Sequence, residues 1–253
     1  MTEIMAISSV RGMPTPHLPS RPKVIQTMSD GQYVGELVNG QWEGQGALYY
    51  YNGARYTGSF SQGTFHGKGV FKETNGDEYE GEFVRGLCHG DGVLTYKDGG
   101  QYIGKFFEGK KSGQGKETRP NGAEYSGHFL NDSLEGYGTA VYRGGAWYKG
   151  LFSNGKCHGE GYYRFPYREI GGGDNLRRLF AIYSGNFVMN EIEGCGTMTL
   201  PQGIIERGNF HKGKLHGYGE RQSSNGVIVS GLFRHGKLRT IIWNVGPSYR
   251  FRF

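Results

Sequence analysis

The chain has 253 residues with a formal net charge of +6, and it contains 47 Gly, 18 Tyr and 15 Phe but only 8 Pro and 3 Cys. Abundant aromatic residues exclude a disordered chain, and high glycine with few prolines and no three-residue period excludes collagen. Three cysteines are too few for a disulfide framework, and no apolar run approaches the roughly 18 residues that a membrane span needs. Without a signal-peptide core, we expect a cytoplasmic protein that is neither secreted nor membrane-spanning.

Residues 1–29 are predicted to form a flexible arm. Pro14, Pro16, Pro19 and Pro22 fall within this segment, which has little apolar periodicity. Such a composition is typical of an extended linker, which either stays disordered or docks on a partner.

From residue 30 onward, the sequence repeats itself every 23 residues. Each copy has an aromatic residue (or its replacement) at offset 0, a glycine at offset 2 and an apolar residue at offset 4. The offset 0 residues are Tyr33, Tyr56, Tyr79, Tyr102, Tyr125, Tyr148, Tyr183, Glu206 and Val229, which define copies 1 to 9. A fixed period of this length indicates a repeat architecture. Copies 1–6 occupy residues 30–161, and copies 7–9 occupy residues 182–240.

Each copy is predicted to be a β-hairpin. Offsets 0, 2 and 4 lie on one face of a strand because side chains alternate. A glycine at offset 7 and Asn-Gly pairs such as Asn52-Gly53 provide the turns, and a Gly-x-Gly pair opens the second strand. The chain is therefore predicted to be all-β, an elongated single-layer antiparallel meander whose glycines leave hollows for neighbouring rings.

Residues 75–92, NGDEYEGEFVRGLCHGDG, closely resemble the MORN (membrane occupation and recognition nexus) repeat. The resemblance covers about residues 30–240 and implies rod-like or groove-shaped β assemblies. It also implies scaffolding in cytoskeletal, ciliary or flagellar structures, with protein helices, phosphoinositides or end-to-end dimers as associations of family members. Lys111 at an apolar position and Glu206 in place of a tyrosine depart from the pattern and put a uniform groove in doubt.

No arrangement of residues predicts catalysis. Four of the eight histidines share offset 10 and therefore recur about one repeat apart, too far to converge on a metal ion. No nucleophile elbow or phosphate-binding loop is present. We expect no enzyme activity, cofactor, metal or small-molecule substrate. Residues 31–161 carry 13 basic and 15 acidic residues, which disfavours a nucleic-acid partner.

The first candidate binding site is the aromatic face, where either the rings bury one another or a partner helix fills the trough. Its predicted residues are Tyr33, Leu37, Tyr56, Phe60, Tyr79, Phe83, Tyr102, Phe106, Tyr125, Phe129, Tyr148, Phe152, Tyr183 and Phe187.

The second candidate site is an insertion at residues 162–181, which interrupts the repeat. It is either a tolerated solvent loop or a contact for acidic proteins or phospholipid headgroups. Its predicted residues are Arg164, Phe165, Tyr167, Arg168, Arg177 and Arg178.

The third candidate site is the C-terminal segment, residues 241–253, with Trp243, Tyr249, Arg250, Phe251, Arg252 and Phe253. It is predicted to cap the last strand, to pair with a second copy in a homodimer, or to contact a membrane. Together these features predict a non-catalytic scaffold that binds a protein helix in a cytoskeletal or ciliary/flagellar assembly. The alternative is a peripheral membrane adaptor that binds anionic phospholipids through the insertion and the tail.

Overall fold

The structure, a computed structural model, describes residues 23–170 and 177–245, and these residues form strands without any helix. The strands are β1 Val24–Thr27, β2 Gly31–Val38, β3 Gln41–Tyr50, β4 Arg55–Ser61, β5 Thr64–Lys72, β6 Glu78–Val84, β7 Leu87–Thr95, β8 Gln101–Phe107, β9 Lys110–Thr118, β10 Glu124–Leu130, β11 Ser133–Val141, β12 Trp147–Ser153, β13 Lys156–Ile170, β14 Arg177–Val188, β15 Glu191–Thr199, β16 Ile205–His211, β17 Lys214–Gln222, β18 Ile228–Arg234 and β19 Lys237–Val245.

Each strand pairs antiparallel with the next one along the chain, from β1 to β19. The described residues therefore form one open sheet with β1 and β19 at its edges, which confirms the predicted meander. With about 4.8 Å between neighbouring strands, the sheet is roughly 85 Å long.

The N-terminal boundary of the ordered body is earlier than predicted. Residues 24–27 fall within the predicted flexible arm but form β1, which pairs with β2. The indole Nε1–H of Trp42 donates to the side-chain amide oxygen Oε1 of Gln26 at 2.9 Å, and Met28 packs against the core. The prediction was wrong for these residues because their order comes from pairing with β2, which local composition does not reveal. Residues 1–22 lie outside the described part.

Nine hairpins end in two-residue turns in which both central residues have positive φ, the type I′ geometry that matches strand twist. The second central residue stands at offset 7, and it is glycine in seven copies, as the sequence predicts. In copies 5 and 7 this position holds Asp132 (φ 70) and Asn190 (φ 76). Both residue types tolerate the left-handed region, so the turn survives without glycine.

Glycines from every hairpin form one continuous row across the sheet, because each is the direct cross-strand partner of the next. The row is Gly35, Gly46, Gly58, Gly69, Gly81, Gly92, Gly104, Gly115, Gly127, Gly138, Gly150, Gly161, Gly185, Gly196, Gly208, Gly219 and Gly231. We call it the glycine row. It contains the offset 2 glycine and the second glycine of each Gly-x-Gly pair.

Tyrosine rings lie on one face of the glycine row. The Tyr79 hydroxyl donates to the carbonyl of Glu82 at 2.9 Å, which closes the ring over Gly81 and Gly92. The same bond to the residue three positions on is made by Tyr33, Tyr56, Tyr102, Tyr148 and Tyr183. Only glycine leaves room for a ring this close to the backbone.

A methyl group in the glycine row is expected to destabilise the sheet. A Cβ at Gly81 would lie 2.5 Å from the Tyr79 hydroxyl and 2.7 Å from the Gly92 Cα. Gly81→Ala should therefore cost roughly 1–3 kcal/mol or more in urea unfolding. The matched control is Gly86→Asn, at a turn position with no atom within 4 Å, where copy 7 has Asn190. Equal losses in both variants would refute this account of the row.

Candidate functional site

The face that carries the predicted aromatic groove is closed. Twelve of its fourteen predicted residues are buried, and only Leu37 and Tyr125 are partly exposed. The tyrosines other than Tyr125 pack edge-on against the phenylalanines: Tyr56, for example, lies 5.0 Å from Phe60 and 5.1 Å from Phe83 of the next copy. A partner laid on this face would not reach the twelve buried rings. Of the two alternatives for this face, the burial agrees with rings that bury one another and not with a trough filled by a partner helix, because the tyrosines fold down over the glycine row.

Two copies replace part of this aromatic packing with buried ion pairs. In copy 4, Lys111 Nζ lies 2.6 Å from the Glu117 carboxylate and 5.3 Å from the Tyr102 ring centre. In copy 8, Glu206 stands at the tyrosine position and accepts from Arg221 Nε at 2.8 Å. These substitutions therefore fill the core of copies 4 and 8 with paired charges, so the departures from the repeat pattern are accommodated on the aromatic face.

The opposite face of the sheet is open along the glycine row. Side chains that alternate with the rings line an opening of about 810 Å³ that crosses β3 to β8. Its floor is formed by glycines from Gly58 to Gly104, and its walls include the apolar residues Val70, Val93 and Ile103. We call this opening the outer groove.

A second opening lies over later copies on the same face and has different chemistry. It measures about 440 Å³, lies on β13 to β16 and is lined by polar residues, among them Glu160, Asn186 and Cys195. Between the two openings, Tyr137 and Leu151 are exposed cross-strand partners on the same face. The glycine row thus forms the floor of two separate openings whose lining residues differ.

Sequence comparison agrees with this repeat geometry. A profile of the family described as "MORN repeat" matches residues 33–55, 56–78, 79–101, 102–124, 125–147, 148–166, 183–204 and 207–228. The chain belongs to the MORN repeat family. The β18–β19 hairpin adds a ninth unit of the same kind, with its type I′ turn at His235 and Gly236.

Other comparisons add little to the family assignment. No curated protein gives a significant match to this MORN chain. Among solved structures, it is similar to the TCP domain of SAS-4 (dCPAP) of Drosophila melanogaster, which was solved in complex with a proline-rich motif of Ana2 (dSTIL). That similarity has 11% identity and a TM-score of 0.30, and it covers 89% of this chain and 92% of the other. A TM-score at that level supports no inference about function.

The insertion between MORN copies 6 and 7 is not an irregular loop where the structure describes it. It lengthens the β13–β14 hairpin, in which Phe165 pairs with Ala181 and Arg168 pairs with Leu179. The Arg164 guanidinium lies 3.5 Å from the centre of the Phe180 ring and donates to the Gly145 carbonyl. Over residues 162–170 and 177–181, strand pairing with one irregularity between Pro166 and Arg168 thus takes the place of the solvent loop, which was one of the two alternatives.

Some charged side chains of the insertion form an ion pair or a hydrogen bond within the chain. Arg178 pairs with Glu169 at 2.9 Å, so Arg164 and Arg178 both have internal partners. Tyr167 and Arg168 are exposed, and Arg177 is the first residue of β14. Among the predicted contact residues, Tyr167 and Arg168 are therefore those that the described surface offers to a partner.

Residues 241–245 of the C-terminal segment belong to the edge strand β19. Ile241, Ile242 and Trp243 are exposed on it, so none of the three side chains covers the core. Tyr249, Arg250, Phe251, Arg252 and Phe253 lie outside the described residues. Dimer pairing and membrane contact stay predictions for this segment.

One cluster of side chains escaped the sequence reasoning. His211, His216 and His235 meet on copies 8 and 9, with ring centres 5.2 to 6.5 Å apart. They occupy different offsets, so the 23-residue period could not reveal them. Within residues 23–170 and 177–245, no group of His, Cys, Asp or Glu has the geometry to hold a metal ion, and no helix could cross a membrane.

Removal of one buried aromatic ring should lower the unfolding free energy far more than removal of an exposed ring. Phe83 is 2% exposed and contacts Tyr56, Phe65 and Tyr79. We expect Phe83→Ala to lower the unfolding free energy by about 3–5 kcal/mol. Phe107→Ala is the control, because Phe107 is 55% exposed on the other face. Similar urea midpoints for the two variants would contradict the burial described above.

The buried pair of copy 4 should respond differently to single and double replacement. Glu117→Gln leaves the Lys111 charge without its counter-ion and should cost about 3–5 kcal/mol. The double variant Lys111→Leu/Glu117→Leu restores residue types found at these offsets in other copies, such as Leu215 and Leu94, and should be neutral or stabilising. A double variant as unstable as Glu117→Gln in urea would contradict this reasoning.

The same pair predicts a pH dependence. Burial alone would raise the pKa of Glu117, but the hydrogen bond and charge of Lys111 outweigh it and the pKa is lowered. A lowered folded-state pKa gives stability that is present above the unfolded value of about 4.3 and is lost as the pH falls through the folded value. Acid unfolding should therefore be less steep in the double leucine variant than in the wild-type chain.

Proposed function

We propose that this MORN repeat protein is a non-catalytic scaffold that binds a helical segment of a protein partner in a cytoskeletal or ciliary/flagellar assembly. The observation that carries the proposal is the outer groove, an open channel of about 810 Å³ on a sheet whose other face is closed. The assembly is suggested by the family alone. The groove replaces the aromatic face as the proposed binding surface.

The spacing of the groove walls supports a helical partner. Val70 and Val93 stand at the same offset in neighbouring copies, two strands apart, or about 10 Å. An α-helix rises 1.5 Å per residue, so seven residues advance about 10.5 Å. A helix lying across the strands can therefore present one apolar residue to each copy if its apolar residues recur every seventh position.

The charge of the groove narrows the chemistry of the partner. Glu80, Glu82 and Asp91 line it, against Lys68 as the lining cation. Asp91 is also paired with Lys105 at 2.8 Å. Glu80 and Glu82 form no salt bridge with any of the described residues. Complementary potentials favour a partner helix that carries Lys or Arg beside its apolar stripe.

The proposal is tested by proximity labelling in cells with three forms of the full chain. The groove variant Val70→Lys/Val93→Lys places cations on the apolar walls and should lose the labelled partners by at least tenfold. The control is Val84→Lys, which makes the same change at an exposed valine outside the groove. If the groove variant keeps the partner set of the wild-type chain, the outer groove is not the binding site.

Sedimentation with liposomes separates this function from the membrane-adaptor alternative. A protein-binding scaffold should sediment equally little with anionic and neutral vesicles. Strong sedimentation with anionic vesicles alone, abolished by Tyr167→Ser/Arg168→Ser at the exposed part of the insertion, would favour the adaptor.

A further inference from the structure

The aromatic row is interrupted in copy 5. A Cβ on Gly127 or Gly138 would meet Leu134 and not the ring of Tyr125, so Leu134 occupies the place over these two glycines. Tyr125 instead lies edge-on to Tyr142, with ring centres 6.1 Å apart. Its ring is also held by Arg119, whose guanidinium carbon is 4.4 Å from the ring centre.

A small residue leaves space beside this interruption. Cys157 stands at offset 9 of copy 6, where copy 2 has Phe65 stacked 3.8 Å from Tyr56. The result is a cavity of about 280 Å³ on the aromatic side of the sheet. Copy 3 also has a cysteine at this offset, Cys88, but its cavity is only about 90 Å³. The displacement of Tyr125 is thus the feature that the cavity beside Cys157 has and the smaller cavity beside Cys88 lacks.

The walls combine aromatic rings with a few polar groups. Of the lining rings, Tyr125, Tyr142 and Tyr163 are partly exposed, whereas Tyr148, Phe152 and Phe187 are buried. Arg119 and the Tyr142 hydroxyl add polar groups. The exposed lining is more polar than apolar, and the volume lies just below the range of about 300–1,000 Å³ that is typical of small-ligand sites.

The charge of the cavity favours an anion. Arg119 is about half exposed; its Nε donates to Glu117 and one Nη donates to the Tyr125 hydroxyl at 3.4 Å. A guanidinium has five N–H donors, and the described residues accept from two of those of Arg119, so the geometry has donors to offer a ligand. Lys111, Glu117 and Arg119 together carry a net charge of +1.

The other titratable groups of the cavity stay neutral. Burial raises the pKa of Tyr142, whose hydroxyl therefore stays a donor, and raises the pKa of Cys157 to about 11, which leaves its thiol neutral.

We propose that this cavity binds a small aromatic carboxylate. One six-membered ring with a short side chain packs against the partly exposed rings of Tyr125, Tyr142 and Tyr163, and its carboxylate accepts from Arg119 and Tyr142 at the mouth. The guanidinium matches a carboxylate in bidentate geometry. This site is on the face opposite to the outer groove, and its ligand does not depend on the protein partner proposed above.

The test is calorimetric titration of the full chain with 3-phenylpropionate. Two matched probes, 3-phenylpropan-1-ol and propionate, remove the charge or the ring. We expect saturable binding of 3-phenylpropionate that is at least tenfold tighter than binding of either matched probe. Absence of saturable binding, or equal binding of the alcohol, overturns the proposal.

Three variants test whether the ligand binds in this cavity. Cys157→Leu fills the cavity with the residue type that Leu134 and Leu215 represent at this offset, and it should abolish binding while the thermal midpoint stays equal or rises. Cys88→Leu makes the same change in copy 3 and should leave binding unchanged. Arg119→Gln should reduce affinity for the carboxylate at least tenfold and leave affinity for the alcohol unaltered.

The variants also give results that would contradict the site. Wild-type affinity in Cys157→Leu, or equal losses in Cys157→Leu and Cys88→Leu, would place the ligand elsewhere. If Cys157→Leu lowers the thermal midpoint, the Arg119→Gln variant tests the site instead, because Arg119 lies at the mouth of the cavity and outside the buried aromatic packing. Unchanged affinity for the carboxylate in that variant would refute the proposal.

Discussion

The packing of a tyrosine ring on two paired glycines is the interaction on which the rest of this structure depends. A sheet of one layer has no second layer to cover its apolar face. Here the ring of Tyr79 reaches back over Gly81 and Gly92, and its hydroxyl bonds to the Glu82 carbonyl. Because the glycines of successive hairpins are direct partners, the same packing is repeated along the sheet and covers most of its aromatic face.

This closure makes the two faces of the sheet physically different. The described aromatic face is largely filled by its own rings, with openings at the cavity beside Tyr125 and at a smaller one beside Cys88. The other face keeps the glycine backbone as a channel floor, and its walls come from positions that packing leaves free to vary. Val70 and Glu80 line the channel without contributing to the buried core. Such a surface suits a scaffold, since its chemistry can change without loss of the fold.

Much of the fold could be predicted because its determinants are local and recur. Positive φ at Gly40, Gly63 and the other offset 7 residues follows from their positions in the repeat. The open face could not be predicted, because alternation assigns side chains to faces but does not determine how a ring such as Tyr79 folds. The displacement of Tyr125 by Leu134 depends on contacts between strands, as does β1, whose order comes from its pairing with β2.

Proton chemical shifts of the glycine row test the central claim most directly. The rings of Tyr56, Tyr79 and Tyr183 lie on Gly69, Gly92 and Gly196, respectively. Their ring currents should shift the Hα resonances of these three glycines upfield. Gly219 is the internal reference, because Glu206 replaces the tyrosine there and Leu215 covers the glycine. The account predicts upfield shifts for the first three glycines and an ordinary strand value for Gly219. Ordinary values for all four glycines would contradict it.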